Sequence, residues 1–213
     1  MAERLPPGAT LVPFHGCTGL NPVFSSMGQN TGLKNLLVGV SRSMDESLCT
    51  AMQNGLETNR TLESLELNSV PLLTDPANLW CRAFSFLRTN KALKSLAVNV
   101  SSGASSVSAF RIGIVAMLQE NASLESISFL SWDIIQVEEY VALVTAFKHH
   151  RTLRTLHFGH SINMLTDDED KEMAVVLKKN YALERLPNIN QGGNMGAILR
   201  LNEAGRRYLV QDG

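Results

Sequence analysis

One short phrase recurs six times along this chain and constrains its fold more than any other feature. It consists of a turn residue, two variable residues, and then Leu-x-x-Leu-x-(apolar). The copies begin at Asn30, Asn59, Asn90, Asn121, His150 and Asn180, in steps of 29, 31, 31, 29 and 30 residues. Self-similarity at such a period marks stacked supersecondary units, each too small to bury its apolar face alone. Five columns can be compared, at −7, −3, +3, +6 and +8 from the turn residue. In them 29 of 30 positions are apolar, where a composition of 44% hydrophobic residues would give about 13. The exception is Asn188, in the last copy, where an end unit is expected to depart from the pattern.

The apolar spacing changes character at the turn residue. Before it, apolar residues fall at −7, −6, −4 and −3, as in Ile114, Val115, Met117 and Leu118, which is one face of a helix. After it, the +6 and +8 residues stand two apart, the period of a strand. Each unit therefore reads helix, tight turn, short strand. Five of the six turn residues are Asn. Asn tolerates the left-handed conformation that often ends a helix, and that is the expected reason for its recurrence. Strands joined by helical crossovers pair in parallel.

The segments Asn59-Arg-Thr-Leu-Glu-Ser-Leu-Glu-Leu67 and Asn121-Ala-Ser-Leu-Glu-Ser-Ile127 resemble the ribonuclease-inhibitor type of leucine-rich repeat. The resemblance covers roughly residues 20–190. It implies an α/β fold: a right-handed solenoid, or horseshoe arc, of about six repeats. Parallel strands would line its concave face and helices its convex face. The family's usual Asn or Cys ladder, some five residues past the second Leu, is missing; Ser41, Val70, Ser101, Trp132 and Ser161 stand there. The stretch Ile198–Leu209 resembles the closing segment of leucine-rich-repeat proteins from unicellular algae and related eukaryotes.

The whole chain, 1–213, reads as a single domain: an irregular lead-in over 1–19, repeats over 20–190 and a capping segment over 191–213. The first unit reads as a helix with no strand before it, either a modest cap or the cut edge of a longer array. Residues 191–197 read as a Gly-rich loop, and Asn99–Ser108 as a flexible connection. Thr166 with Glu169 fits a capping box opening the last repeat helix.

A net charge of −1 gives no electrostatic footprint for nucleic acid or an anionic membrane. No apolar run approaches the roughly 18 residues of a membrane span, and no secretory signal is visible at the N-terminus. Cys17, Cys49 and Cys81 fit no zinc spacing and read as reduced thiols. A cytoplasmic location is expected, with the nucleus left open. The three Asn-x-Ser/Thr matches, at Asn59, Asn99 and Asn121, then count as coincidence. His149, His150, His157 and His160 cluster in sequence, but the repeat places them at a helix end, on a strand and in a loop, which is poor geometry for a metal. No cofactor, metal, catalytic residue or small-molecule substrate is expected.

Stacking aligns the variable strand positions into columns. The +4 column reads Lys34, Glu63, Lys94, Glu125, Arg154, Glu184, alternating in sign at every step. Such exposed pairs contribute only tenths of a kcal/mol each and serve register better than recognition. The +5 column, Asn35, Ser64, Ser95, Ser126, Thr155 and Arg185, reads as packing through hydroxyls. The positions that vary lie further along the strands. Glu66, Asn68, Asn99, Ser128, Leu130, Trp132 and His157 are therefore the expected protein-binding residues. Trp132 has the alternative of tucking beneath its strand in the missing ladder position. The expected function is a non-catalytic protein–protein interaction scaffold. The alternatives are a regulator of a small GTPase or other enzyme in trans, or a fragment of a larger sensor.

Overall fold

The computed structural model describes residues 10–11, 19–40, 44–70, 79–100, 116–130, 150–158, 168, 171, 174–175, 177–180, 182–186 and 194–204. Six strands form one parallel sheet in chain order: β1 (Thr10–Leu11), β2 (Asn35–Gly39), β3 (Ser64–Val70), β4 (Ser95–Val100), β5 (Ser126–Leu130) and β6 (Thr155–Phe158). The helices include α1 (Leu20–Met27), α2 (Glu46–Thr58), α3 (Leu79–Ala83) and α4 (Asn194–Glu203). Residues 116–120 are also helical.

Register follows the repeat. Leu36, Leu65, Leu96, Ile127 and Leu156 pair in one row across β2 to β6, and Val38, Leu67, Val98 and Phe129 in a second. Both rows are buried. The helix columns complete the core, with Phe24, Met27, Met52, Leu56, Ala83, Leu87, Met117, Leu118, Ala174 and Leu177 all buried. A period-2 face thus meets a period-3.6 face in the described units, as the shift in apolar spacing requires.

Two helices owe their placement to identifiable local chemistry. Asp45 caps α2, its carboxylate accepting the Leu48 N–H at 2.8 Å, with Glu46 favourably placed in the first turn. α1 and α2 approach so closely that a Cβ on Gly55 would lie 1.8 Å from the Phe24 carbonyl oxygen. The third unit departs from a continuous helix: α3 passes into a 3-10 helix over Phe84–Arg88. There the rings of Phe84 and Phe86 stack at 6.0 Å, both buried beside Trp80. The Cys49 thiol is buried and donates to the Leu79 carbonyl at 3.4 Å, while Cys81 is half-buried; neither forms a disulfide among the described residues.

The turn residues have a different purpose from the one expected. Asn59 has φ −66° and ψ 134°, an extended conformation, and Ser69 is the only non-glycine residue with positive φ among the described residues. The left-handed helix end is therefore absent; the side-chain amide is what the position requires. Asn59 Oδ1 accepts the N–H groups of Thr61 and Leu62 at 2.9 and 2.7 Å. Its Nδ2 donates back to the Met27 and Asn30 carbonyls of the preceding unit at 2.7 and 3.2 Å. Asn90 repeats this with Ala92 and Leu93 and with the Leu56 and Asn59 carbonyls. Asn121 repeats it with Ser123 and Leu124 and with the Leu87 and Asn90 carbonyls. All three are buried. A ladder of amides thus ties unit to unit at the turn.

Three further expectations are corrected. The lead-in contains a strand, since Thr10 and Leu11 pair with Asn35 and Leu36, so a strand does precede the first helix. Only Leu11 of that unit keeps the phrase; Gly8 and Pro13 occupy the other Leu-type places, and the backbone pairing left no pattern to read. The Gly-rich loop ends early, because α4 begins at Asn194 and includes a buried Gly196. Ile198, Leu199 and Asn202 are the buried face of α4. Asn202 Nδ2 donates to the Asn180 and Leu183 carbonyls at 2.9 and 2.6 Å, so the closing helix supplies one more amide to the ladder. The serines and threonine of the +5 column, Ser64, Ser95, Ser126 and Thr155, share no hydrogen bond with one another among the described residues. The backbone does that work instead: each +4 carbonyl accepts two N–H groups from the next unit, as the Lys34 oxygen does from Glu63 and Ser64 at 2.8 and 3.0 Å. The capping box at Thr166 and Glu169 and the serines at 101–108 lie outside the described residues, as do Cys17, His149, His160 and residues 205–213.

Candidate protein-binding face

The alternation that buries the +6 and +8 rows turns the +5, +7 and +9 positions to the opposite face of the sheet. Register brings the expected residues together there. Leu37, Glu66, Ala97, Ser128 and His157 form one row across β2 to β6. Gly39 pairs with Asn68, and Asn99 with Leu130, in the next row. Glu66, Asn68, Asn99 and Ser128 are half-buried and His157 is exposed. Leu130 ends β5, and Trp132 lies outside the described residues.

The left part of this face is organised by a feature the phrase did not reveal. Between Leu67 and Val70, β3 carries one more residue than β4, so that Leu67 pairs with Val98 and Val70 with Val100. Ser69 takes φ 60° to absorb the extra residue. A bulge of this kind re-aims the side chains beside it and is common near functional sites. The neighbour is Asn68, whose Nδ2 donates to Glu66 Oε1 at 3.0 Å and whose carbonyl accepts the Val40 N–H at 2.7 Å. A signal was present in the sequence. The apolar residue after +8 falls at +10 in Val40 and Val100 but at +11 in Val70, a one-residue slip.

The alternating charges border the face at the start of each strand. Lys34 pairs with Glu63, and Lys94 with Glu125 at 3.3 Å, all four side chains about half exposed. Pairs this exposed are worth at most about 1 kcal/mol. At the far end Arg185 bridges to the Thr155 backbone and its guanidinium lies 3.6 Å from Glu203 of α4. The resulting surface has paired charges at one edge, with Glu66 and Asn68 on β3, Asn99 on β4, Ser128 on β5 and His157 on β6, the last strand of the sheet.

The Asn-x-Ser/Thr matches at Asn59 and Asn121 sit in the ladder, buried with both amide atoms engaged. His150 is buried in the same ladder whereas His157 is exposed on β6, so these two histidines do not share a site. Among the described residues no cluster of His, Cys, Asp and Glu has the arrangement of a metal site. No described helix is long and apolar enough to cross a membrane.

No family model matches the chain, and no curated protein matches it. Among solved structures it is similar to leiomodin-1 actin-binding site 2, with a TM-score of 0.58 and 18% sequence identity. That match covers 81% of this chain and 97% of the other. At this identity the likeness is one of fold.

Proposed function

We propose that the chain is a leucine-rich-repeat solenoid of the ribonuclease-inhibitor type and serves as a non-catalytic scaffold for a protein partner. The observation that carries this reading is the division of labour within each strand. The positions that repeat are used up by the core, the amide ladder and the backbone ladder. The ones that vary, Glu66, Asn68, Asn99, Ser128 and His157, lie together on one sheet face. A rigid frame that presents variable side chains is how binding surfaces are built on repeat arrays. The likeness to a solved actin-binding site supports a protein as the ligand and makes actin the first partner to try.

The test is binding of purified actin, as monomer and as filament, to the full chain and to a variant with Glu66, Asn68, Asn99, Ser128 and His157 all changed to Ala. Binding weakened at least about tenfold, or about 1.4 kcal/mol, supports the face assignment. Binding equal to that of the parent chain refutes it. Absence of binding by the parent chain refutes actin as the partner.

A further inference from the structure

Five of the six turn positions carry an amide, and one carries an imidazole. An amide offers an acceptor and a donor at every pH, whereas an imidazole nitrogen accepts only while the ring is neutral. His150 fills the ladder position in the neutral form. Its Nδ1 accepts the Leu153 N–H at 3.0 Å, matching the bonds from Leu62, Leu93, Leu124 and Leu183 to their Asn oxygens. Nδ1 has one lone pair where Oδ1 has two. The second bond that Thr61, Ala92, Ser123 and Ala182 make through their N–H groups accordingly has no counterpart from the Thr152 N–H among the described residues. The Thr152 hydroxyl lies 3.4 Å from Nδ1 and donates instead to the Leu124 carbonyl at 2.9 Å. The backbone of Asn121, the turn residue of the preceding unit, lies near enough to the ring to favour its charged form.

We propose that the turn at His150 is an acid-labile joint in the array: a proton on Nδ1 sets an N–H against the Leu153 N–H, breaks that bond and loosens β6 from β5. The ring is only 8% exposed, and burial pushes its proton affinity below the ordinary histidine value while the nearby Asn121 backbone partly opposes the shift. The charged groups on the described turns flanking it are Glu120 and Glu125, Arg151 and Arg154, and Lys179 and Glu184. None of them contributes to that shift among the described residues. The sign follows from linkage. The unfolded chain takes up the proton at about 6.5 and the folded chain only at lower pH. Stability is therefore intact above about 6.5 and is lost as pH falls from there to the folded value. The consequence for the binding face is local, because β6 carries His157 at its edge.

The test compares urea unfolding of the full chain with that of His150→Asn between pH 5 and 8, together with an NMR titration of the imidazoles in the parent chain. The other histidines are common to both chains and cancel. Below about 6.5 the parent's unfolding constant should rise relative to the variant's, approaching about tenfold per pH unit, the limit for one linked proton. Parallel pH profiles would overturn the proposal, as would a His150 ring that titrates at or above the ordinary histidine range. Should His150→Asn not fold, the parent chain decides alone. Protonation of His150 must then coincide with faster hydrogen exchange at the Leu153 amide beyond the intrinsic pH effect, and an unchanged protection factor refutes the joint.

Discussion

Replacing Asn90 by Ala tests whether the amide ladder holds the units together. The side chain is 3% exposed and joins four backbone groups: it accepts from Ala92 and Leu93 at 2.9 Å each, and donates to the Leu56 and Asn59 carbonyls at 2.6 and 3.2 Å. Truncation removes the acceptor of two N–H groups. That of Leu93 is buried, whereas Ala92 is half-buried and can recover water. An orphaned buried donor costs about 1–3 kcal/mol, so the two together should cost about 2–4 kcal/mol. Against a total stability of about 5–15 kcal/mol this is a large fraction. In a chain of this size it corresponds to a fall of roughly 5–15 °C in Tm. Urea or thermal unfolding followed by circular dichroism reads it directly. Lys94→Ala is the matched control, because its pair with Glu125 is half exposed and should cost under about 0.5 kcal/mol. If Asn90→Ala costs no more than the control, the ladder is not what couples the units. Asn90→Asp sharpens the test. It keeps the acceptors but sets a carboxylate against two carbonyls, so it should be most damaging at neutral pH and recover as the pH falls toward the carboxyl range.

Gly55→Ala places a Cβ 1.8 Å from the Phe24 carbonyl oxygen, a clash with backbone, and should cost about 3 kcal/mol or more in urea unfolding. Gly28→Ala meets the Thr58 hydroxyl, a side chain able to turn away, and should cost distinctly less; equal losses would contradict the close approach of α1 and α2. Ser69→Gly relieves a non-glycine residue at φ 60° and should raise stability by about 1 kcal/mol, with a loss of stability counting against the bulge.

The legible part of the fold was whatever depends on apolar period. The rows from Leu36 to Leu156 and from Val38 to Phe129 pair as the aligned copies require, and the helix columns lie beneath them. What stayed hidden depends on backbone hydrogen bonds and on single-residue geometry. β1 is a strand through two backbone pairings in a segment whose side chains follow no period. The recurrence of Asn was plain, but its cause was not. Its two amide atoms serve two different units, and a partner about 30 residues away leaves no local signature. The candidate face was legible as a set of variable positions, since strand alternation fixes which residues share a side. Its detail, the contact between Glu66 and Asn68 beside the extra residue at Ser69, was not.

The ladder also sets a rule for how the chain can change length. The amides of Asn59, Asn90 and Asn121 all reach back to the same two carbonyl columns and forward to the same two N–H columns. Deleting or duplicating one whole unit, from one turn residue to the next, would join surfaces that already fit. A deletion of a few residues within a unit would break two joints at once. Variation by complete periods is thus the easy direction for such a molecule, and the candidate face would gain or lose one strand each time.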